Sequence, residues 1–415
     1  MTTLNEEEVC SMLLQLFYDY IELHPTLISD PSFEDDMIES VIELIQLSLN
    51  EDINFFKVQI GEVDTEDEIE TIYEFIDIVI PMFYDGIYTR RSYSDSIILS
   101  YSIEKSVIAK KIAYLSSMPQ PNQRTDEWYA FRNNLITASN AYKIFESNAQ
   151  QNSLIYEKCN SNLSLTLKED NDKICYVNTE TTLHWGQKYE PLSLLFYEQM
   201  YKTKVGEFGC IQHNKYSFIG ASPDGIIIDP TNNRYGRMLE IKNIVNREIT
   251  GIPKKEYWIQ MQLQMETCDL DECDFLETRF VEYENELTFL TDSDSSLFTS
   301  RNGERKGVIL YFSNNMTGIP LYIYTPLEMS YSEYESWSEK LIEEMLDTRT
   351  DLTWIRHIYW KLDELSCVLV TRNKKWFTDI VPIMSDFWKI IEKERITGYE
   401  HRAPTKRVPK IQQTI

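Results

Sequence analysis

Three stretches near the N-terminus, EEEVCSMLLQLFYDYIELH, FEDDMIESVIELIQLSL and EDEIETIYEFIDIVIPMF, repeat apolar residues at spacings of three and four with acids between them. That period predicts amphipathic helices. Asp30 before Pro31, and the GEVDTEDE run, place turn and N-cap chemistry between them. A fourth helix, YSIEKSVIAKKIAYLSSM, ends at the Pro119, Gln120, Pro121 break, the clearest boundary in the chain. Beyond it, QRTDEWYAFRNNLITASNAYKIF is helical in pattern except at 135–137, where Leu, Ile and Thr predict a β-branched turn separating two helices. Residues 146–180 are polar and Asn-rich, which predicts a long surface insertion. A helix is expected over about 185–201, alternating strands over about 203–245, and a further helix at KKEYWIQMQLQMETC. ETRFVEYE and GVILYF read as strands, 327–349 and 376–395 as terminal helices, and HRAPTKRVPK as a basic tail.

Composition adds limits. A chain of 415 residues with 42% hydrophobic and 13% aromatic residues can bury a large core and is not of the disordered class. No apolar run approaches the ~18–20 residues that cross a bilayer. The start MTTLNEEEV lacks the basic region of a secretory signal, so an intracellular protein without a membrane partner is expected. Seven cysteines, odd in number and with no CxxC pair, argue against a disulfide framework or a zinc ribbon. The net charge of -27 would ordinarily argue against a nucleic-acid partner. The acidity is local, however: residues 1–100 hold 23 Asp and Glu against 3 Lys and Arg, and the remainder is nearly balanced.

Two stretches place charge against apolar surroundings: GASPDGIIID, with Asp224, and RMLEIKNIV, with Glu240 and Lys242. Residues two apart on a strand share a face, so Glu240 and Lys242 project together while Leu239 and Ile241 face the other way. An ion pair on an ordinary surface strand would satisfy E-x-K equally well. Asp224, at the start of a strand able to pair with the E-x-K strand as a hairpin, changes the balance. Two carboxylates can hold Mg²⁺ through hard oxygens, and an adjacent lysine can orient and polarise an attacking water.

SPDG at 222–225 with LEIK at 239–242 resembles the PD-(D/E)xK nuclease superfamily. RTDEWYAFRNNLITAS, WGQKYE and YWIQMQ stand in the order and approximate spacing of the lambda-exonuclease/YqaJ-type viral recombinase family. The resemblance covers about 124–280 and implies a restriction-endonuclease-like α/β fold, a mixed sheet flanked by helices. It makes Asp224 and Glu240 metal ligands, with the Ile241 backbone carbonyl as a third. Lys242 becomes the catalytic lysine, Glu190 completes the metal shell or holds a water, and Gln260 reaches the site from the following helix. Arg132 and Ser139 correspond to the residues that hold the 5′-terminal phosphate. Taken singly, each has a plainer reading: Ser139 as a helix cap, Arg132 as a surface arginine, Glu190 as a solvated acid, Gln260 with Gln262 as the polar edge of a helix. His184 and His213 lack ligand spacing and are expected to be structural or exposed, not metal ligands.

The expected organisation is an acidic helical domain over 1–118, the nuclease core over 119–290, and a C-terminal extension of strands and helices over 291–415. The implied activity is Mg²⁺-dependent hydrolysis of double-stranded DNA ends, 5′ to 3′, for recombination or replication, with Mn²⁺ as a substitute metal. A single-strand annealing or replication protein is a candidate partner. Oligomeric state is open, a trimer being one candidate. Two rivals stand beside this reading: a structure- or sequence-specific endonuclease of the same fold, and a non-catalytic interaction protein whose acidic block mimics nucleic acid.

Overall fold

In the computed structural model the described residues are 6–24, 27, 32–50, 65–86, 104–121, 125–160, 177–293 and 297–404. The turn expected at Asp30 and Pro31, part of the GEVDTEDE run and most of the basic tail lie outside them. Helices α1 (Glu6–Leu23), α2 (Phe33–Asn50) and α3 (Thr65–Gly86) follow the predicted period. Leu13 and Phe17, Met37, Val41 and Ile45, and Ile76, Val79 and Phe83 are buried in one cluster, while acids such as Glu8, Asp19, Asp36, Glu43 and Asp77 are exposed. Phe17 meets Phe83 edge-on at 5.6 Å, and Val368 from the far end of the chain joins the same cluster. Helix α4 (Lys105–Ser117) buries Leu115, and Lys111 on it pairs with Asp269 at 3.0 Å.

The remaining residues build a mixed α/β body. Helix α5 (Asp126–Asn133) leads into strand β1 (Ile136–Thr137) and the short helix α6 (Ala138–Ala141). The turn expected at 135–137 is instead a strand over Ile136–Thr137, because these β-branched residues pair in parallel with β4. The polar stretch 146–180 differs from its expectation. Its first third forms helix α7 (Asn148–Cys159), which buries Leu154, Ile155 and Cys159 in the main core, while 161–176 lie outside the described residues. The apolar side of an otherwise polar helix was too short to stand out by composition.

Helix α8 (Thr182–Tyr201) precedes strands β2 (Val205–Gly206), β3 (Ile211–Gln212), β4 (Ile219–Ala221), β5 (Gly225–Ile227) and β6 (Met238–Asn243). Helix α9 (Lys255–Cys268) then crosses to β7 (Glu272–Glu282), which runs parallel to β6, a βαβ unit. After α10 (Glu286–Thr291) come β8 (Lys306–Asn314), β9 (Pro320–Tyr324), α11 (Tyr331–Thr348), β10 (Leu352–Thr371) and α12 (Lys374–Thr397).

Strands β1, β4 and β3 form a small sheet in the order β1-β4-β3, and the large sheet has the order β2-β5-β6-β7-β10-β8-β9. The C-terminal strands are therefore continuous with the core sheet. Strand β10, 20 residues long, pairs with β8 along its first half and with β7 along its second. At its middle, Trp360 packs edge-on against Phe196 and Phe280 and lies against Gly307, where an added Cβ would come within 2.3 Å of the indole. Helix α8 covers one face of the large sheet, packing Tyr197 on Leu239, Ile241 and Leu276. Helices α9 and α12 belong to the cluster on the other face. Among the described residues no helix is long and apolar enough to cross a membrane.

Candidate active site

Strands β5 and β6 are hydrogen-bonded antiparallel, with Gly225 opposite Leu239. Asp224 sits just before this pairing, after Pro223, whose ring fixes the backbone entering the strand. Gly225 is needed here because a Cβ at that position would lie 2.1 Å from Val205 Cγ1. The half-buried Asp224 carboxylate reaches across the hairpin, and the Ile241 N–H donates to its Oδ2 at 2.7 Å.

Alternation along β6 does as expected. Leu239 and Ile241 face α8, and Glu240, fully buried, faces α9. Gln260 Nε2 donates to Glu240 Oε1 at 2.7 Å, Gln264 Nε2 donates to Oε2 at 2.7 Å, and the Lys242 ammonium also donates to Oε1. A buried carboxylate is tolerable only when so satisfied. Lys242 lies 4.9 Å from the centre of the Tyr257 ring. Burial alone would lower the Lys242 ammonium, but Glu240 and Asp224 outweigh it and raise its pKa, holding it charged.

Gln264 was not singled out by sequence. Its signal is the spacing of four from Gln260, which puts both amides on one face of α9. Gln264 also donates to the Ser222 carbonyl at 3.2 Å, tying β6, α9 and the SPDG turn together. Gln262, between them, points away: it donates to the Thr371 carbonyl at 2.8 Å and accepts from the Asn373 N–H at 2.6 Å.

Glu190 lies exposed on α8, and its charge acts on Asp224. Burial first, then Glu240, with Glu190 adding to it, push the Asp224 carboxyl well above the ordinary carboxylate range, against the pull of Lys242 and the Ile241 N–H. Carboxylates crowded in this way suit a hard divalent cation. Among the described residues no group of three or more His, Cys, Asp or Glu side chains is drawn together as a metal cage. The donor set, the Asp224 and Glu240 carboxylates with Ile241, whose N–H meets Asp224 Oδ2, nevertheless fits Mg²⁺, which keeps several waters and commonly takes only one or two protein carboxylates.

Arg132, in the last turn of α5, stacks over Trp128 at 4.5 Å, and its Nη1 donates to Ser222 Oγ at 3.4 Å, two residues before Asp224. Strands β1 and β4 pair Thr137 with Gly220, so Ser139 and Ser222 both lie two residues beyond the last paired position. Ser139 is exposed on α6. The histidines do structural work: His184 Nε2 bonds the Tyr322 hydroxyl at 2.7 Å, and His213 Nδ1 accepts the N–H groups of Lys215 and Tyr216 at 3.0 and 3.3 Å.

Residues 127–271 match the sequence profile of the family described as the YqaJ-like viral recombinase domain. A protein of Acanthamoeba polyphaga mimivirus, named only as uncharacterized, is 27% identical over 431 residues, spanning 94% of this chain and 74% of the relative. Two solved structures are also similar. An alkaline exonuclease from Laribacter hongkongensis is 20% identical, covering 65% of this chain and 94% of that chain with a TM-score of 0.38. A phage-related exonuclease from Haemophilus somnus 129PT is 15% identical, covering 62% of this chain and 94% of that chain with a TM-score of 0.30.

Proposed function

We propose, from the premise that residues 127–271 are a YqaJ-like viral recombinase domain, that the protein is a Mg²⁺-dependent deoxyribonuclease that digests double-stranded DNA ends from 5′ to 3′. The observation that carries this reading is Glu240, a fully buried carboxylate on β6 that accepts from Lys242, Gln260 and Gln264 beside the Asp224 carboxylate. Such a buried, charge-paired cluster is costly to fold, and groups of this kind concentrate at functional sites.

Asp224, Glu240 and the Ile241 carbonyl would hold the metal, with Glu190 completing the shell or fixing a water. Bound there, Mg²⁺ supplies a Lewis acid for the phosphoryl oxygens and lowers the pKa of a coordinated water. Lys242 orients the attacking water and offsets charge growing on the phosphate. Gln260 and Gln264 fix the Glu240 carboxylate so that neither oxygen has to reorganise during the reaction. Arg132 and Ser139 grip the 5′-terminal phosphate, Arg132 through its planar fork of donors.

A linear duplex labelled at either 5′ or 3′ end, compared with a closed circle and with EDTA present or absent, tests this. Mononucleotide release from the 5′ end, no cut in the circle and full loss of activity in EDTA are expected. Cleavage of the circle would replace the reading with an endonuclease, and activity undiminished by EDTA would remove the metal.

A further inference from the structure

The last turn of a helix leaves carbonyls without intrahelical donors. In α5 the Arg132 carbonyl, which also accepts the Leu135 N–H at 3.2 Å, and the Asn133 carbonyl are capped from far along the chain. Lys158 on α7, only 3% exposed, donates its Nζ to the Arg132 carbonyl at 3.1 Å. Arg395 on α12 donates Nη2 to the Asn133 carbonyl at 2.6 Å and Nη1 to Asn134 Oδ1 at 3.1 Å. The same guanidinium grips the Lys158 carbonyl through Nε at 3.0 Å and Nη2 at 2.8 Å, so one arginine locks the end of α7 to the end of α5. Its own position is set by the Trp388 ring, 5.1 Å away on α12.

Both caps are cations at a helix C-terminus, the end where positive charge is favoured. Their hydrogen bonds go to the ends of α5 and α7. What they hold is the turn from which the Arg132 side chain leaves toward Ser222.

We infer that Arg395, acting with Lys158, is a positioning residue for Arg132, so that the C-terminal helix α12 sets how strongly the enzyme prefers a 5′-phosphorylated end. This rests on the reading of Arg132 as the terminal-phosphate contact. It gives the C-terminal segment a part in substrate selection in addition to its structural part. The coupling runs through backbone carbonyls, which explains why no motif announces it.

The test is a double-mutant cycle on the full chain, with cleavage rates on 5′-phosphorylated and 5′-hydroxyl duplexes. Arg132→Ala is expected to lower the phosphate preference by roughly 10- to 100-fold, the range for a charge-assisted contact. Arg395→Ala is expected to lower it by roughly 3- to 10-fold, mainly through KM on phosphorylated ends, and to leave hydroxyl ends little changed. In the Arg132→Ala background, Arg395→Ala should change the preference no further. Arg395→Lys, which keeps the charge and part of the capping, should recover part of the preference, and it decides the matter if Arg395→Ala does not fold. An unchanged preference in folded Arg395 variants, or an Arg395 effect of equal size with and without the Arg132 side chain, overturns the inference while the phosphate reading stands. An unchanged preference in Arg132→Ala overturns both.

Discussion

Glu240→Gln keeps the size of the side chain and removes its charge, at a position where three donors converge on two oxygens. Lys242 and Gln260 share Oε1, and Gln264 takes Oε2. A glutamine offers one neutral acceptor oxygen, and its amide nitrogen must face a donor on the other side, so at least one contact becomes repulsive. Hydrogen bonds to charged groups contribute about 1.5–3 kcal/mol each. Loss or weakening of two of them amounts to about 3–6 kcal/mol, and if the Glu240 geometry is needed in the transition state the rate falls by roughly 10²–10⁴-fold. The metal loses a ligand charge as well, so this is a lower bound. The assay is single-turnover digestion of a labelled duplex across a Mg²⁺ titration, with far-UV circular dichroism confirming the fold. Mg²⁺ affinity, read separately by calorimetry, should fall in parallel. A folded Glu240→Gln protein that cuts within about threefold of the parent at saturating Mg²⁺ would refute the site, because a loss that small is under about 1 kcal/mol.

Other consequences concern neighbouring groups. Gln264→Leu, which strips the buried Glu240 Oε2 of its donor, should lower kcat by roughly 10- to 100-fold and also destabilise by about 1–3 kcal/mol, whereas Gln262→Leu should destabilise by a similar amount in urea titrations and leave kcat near the parent's. The reverse pattern would mean the two faces of α9 have been misassigned. His213 has its pKa lowered, by burial first, with Arg372 and Lys215 adding to it against Glu266 and Asp269. Between its folded value and the ordinary 6.5 the unfolded chain binds more protons, so stability rises with pH through that window and falls on acidification. His213→Asn, whose oxygen can still accept the turn N–H groups, should flatten that part of the urea-stability profile, and an unchanged slope would exclude His213 as its source. Removing residues 1–104, which leaves α4 in place, should tighten DNA binding at low salt, and the gain should shrink as the screening length falls to about 8–10 Å near physiological ionic strength. Anisotropy titrations of a folded truncation that show no gain at low salt would instead favour a docking or partner-binding role for the acidic helices.

Alternation and helical period are local properties, and they sufficed to put Asp224 at a strand start, Glu240 and Lys242 on one face of β6, and Gln260 on the helix that crosses above it. The candidate chemistry stood out only in combination: E-x-K alone suits any surface strand, and it was Asp224 ahead of it, with the resemblance of SPDG and LEIK to a nuclease motif, that singled out Glu240 and Lys242. What sequence could not supply was the partner of each face. Gln260, Gln262 and Gln264 alternate in a pattern that suits a strand as well as a helix edge, and only the packing of α9 between β6 and the β10–α12 junction separates the pair on Glu240 from the one on Thr371 and Asn373. The 146–180 stretch looked like an insertion because its polar composition hides the residues of α7 that reach the core. The strands after residue 290 looked like an appendage because nothing local says that β10 will lie between β7 and β8. Arg395 looked like any helix arginine, since its partners are carbonyls more than two hundred residues earlier. Long-range pairing of this kind depends on which surfaces meet when the chain closes, a matter of shape and shared burial that no window along the sequence contains.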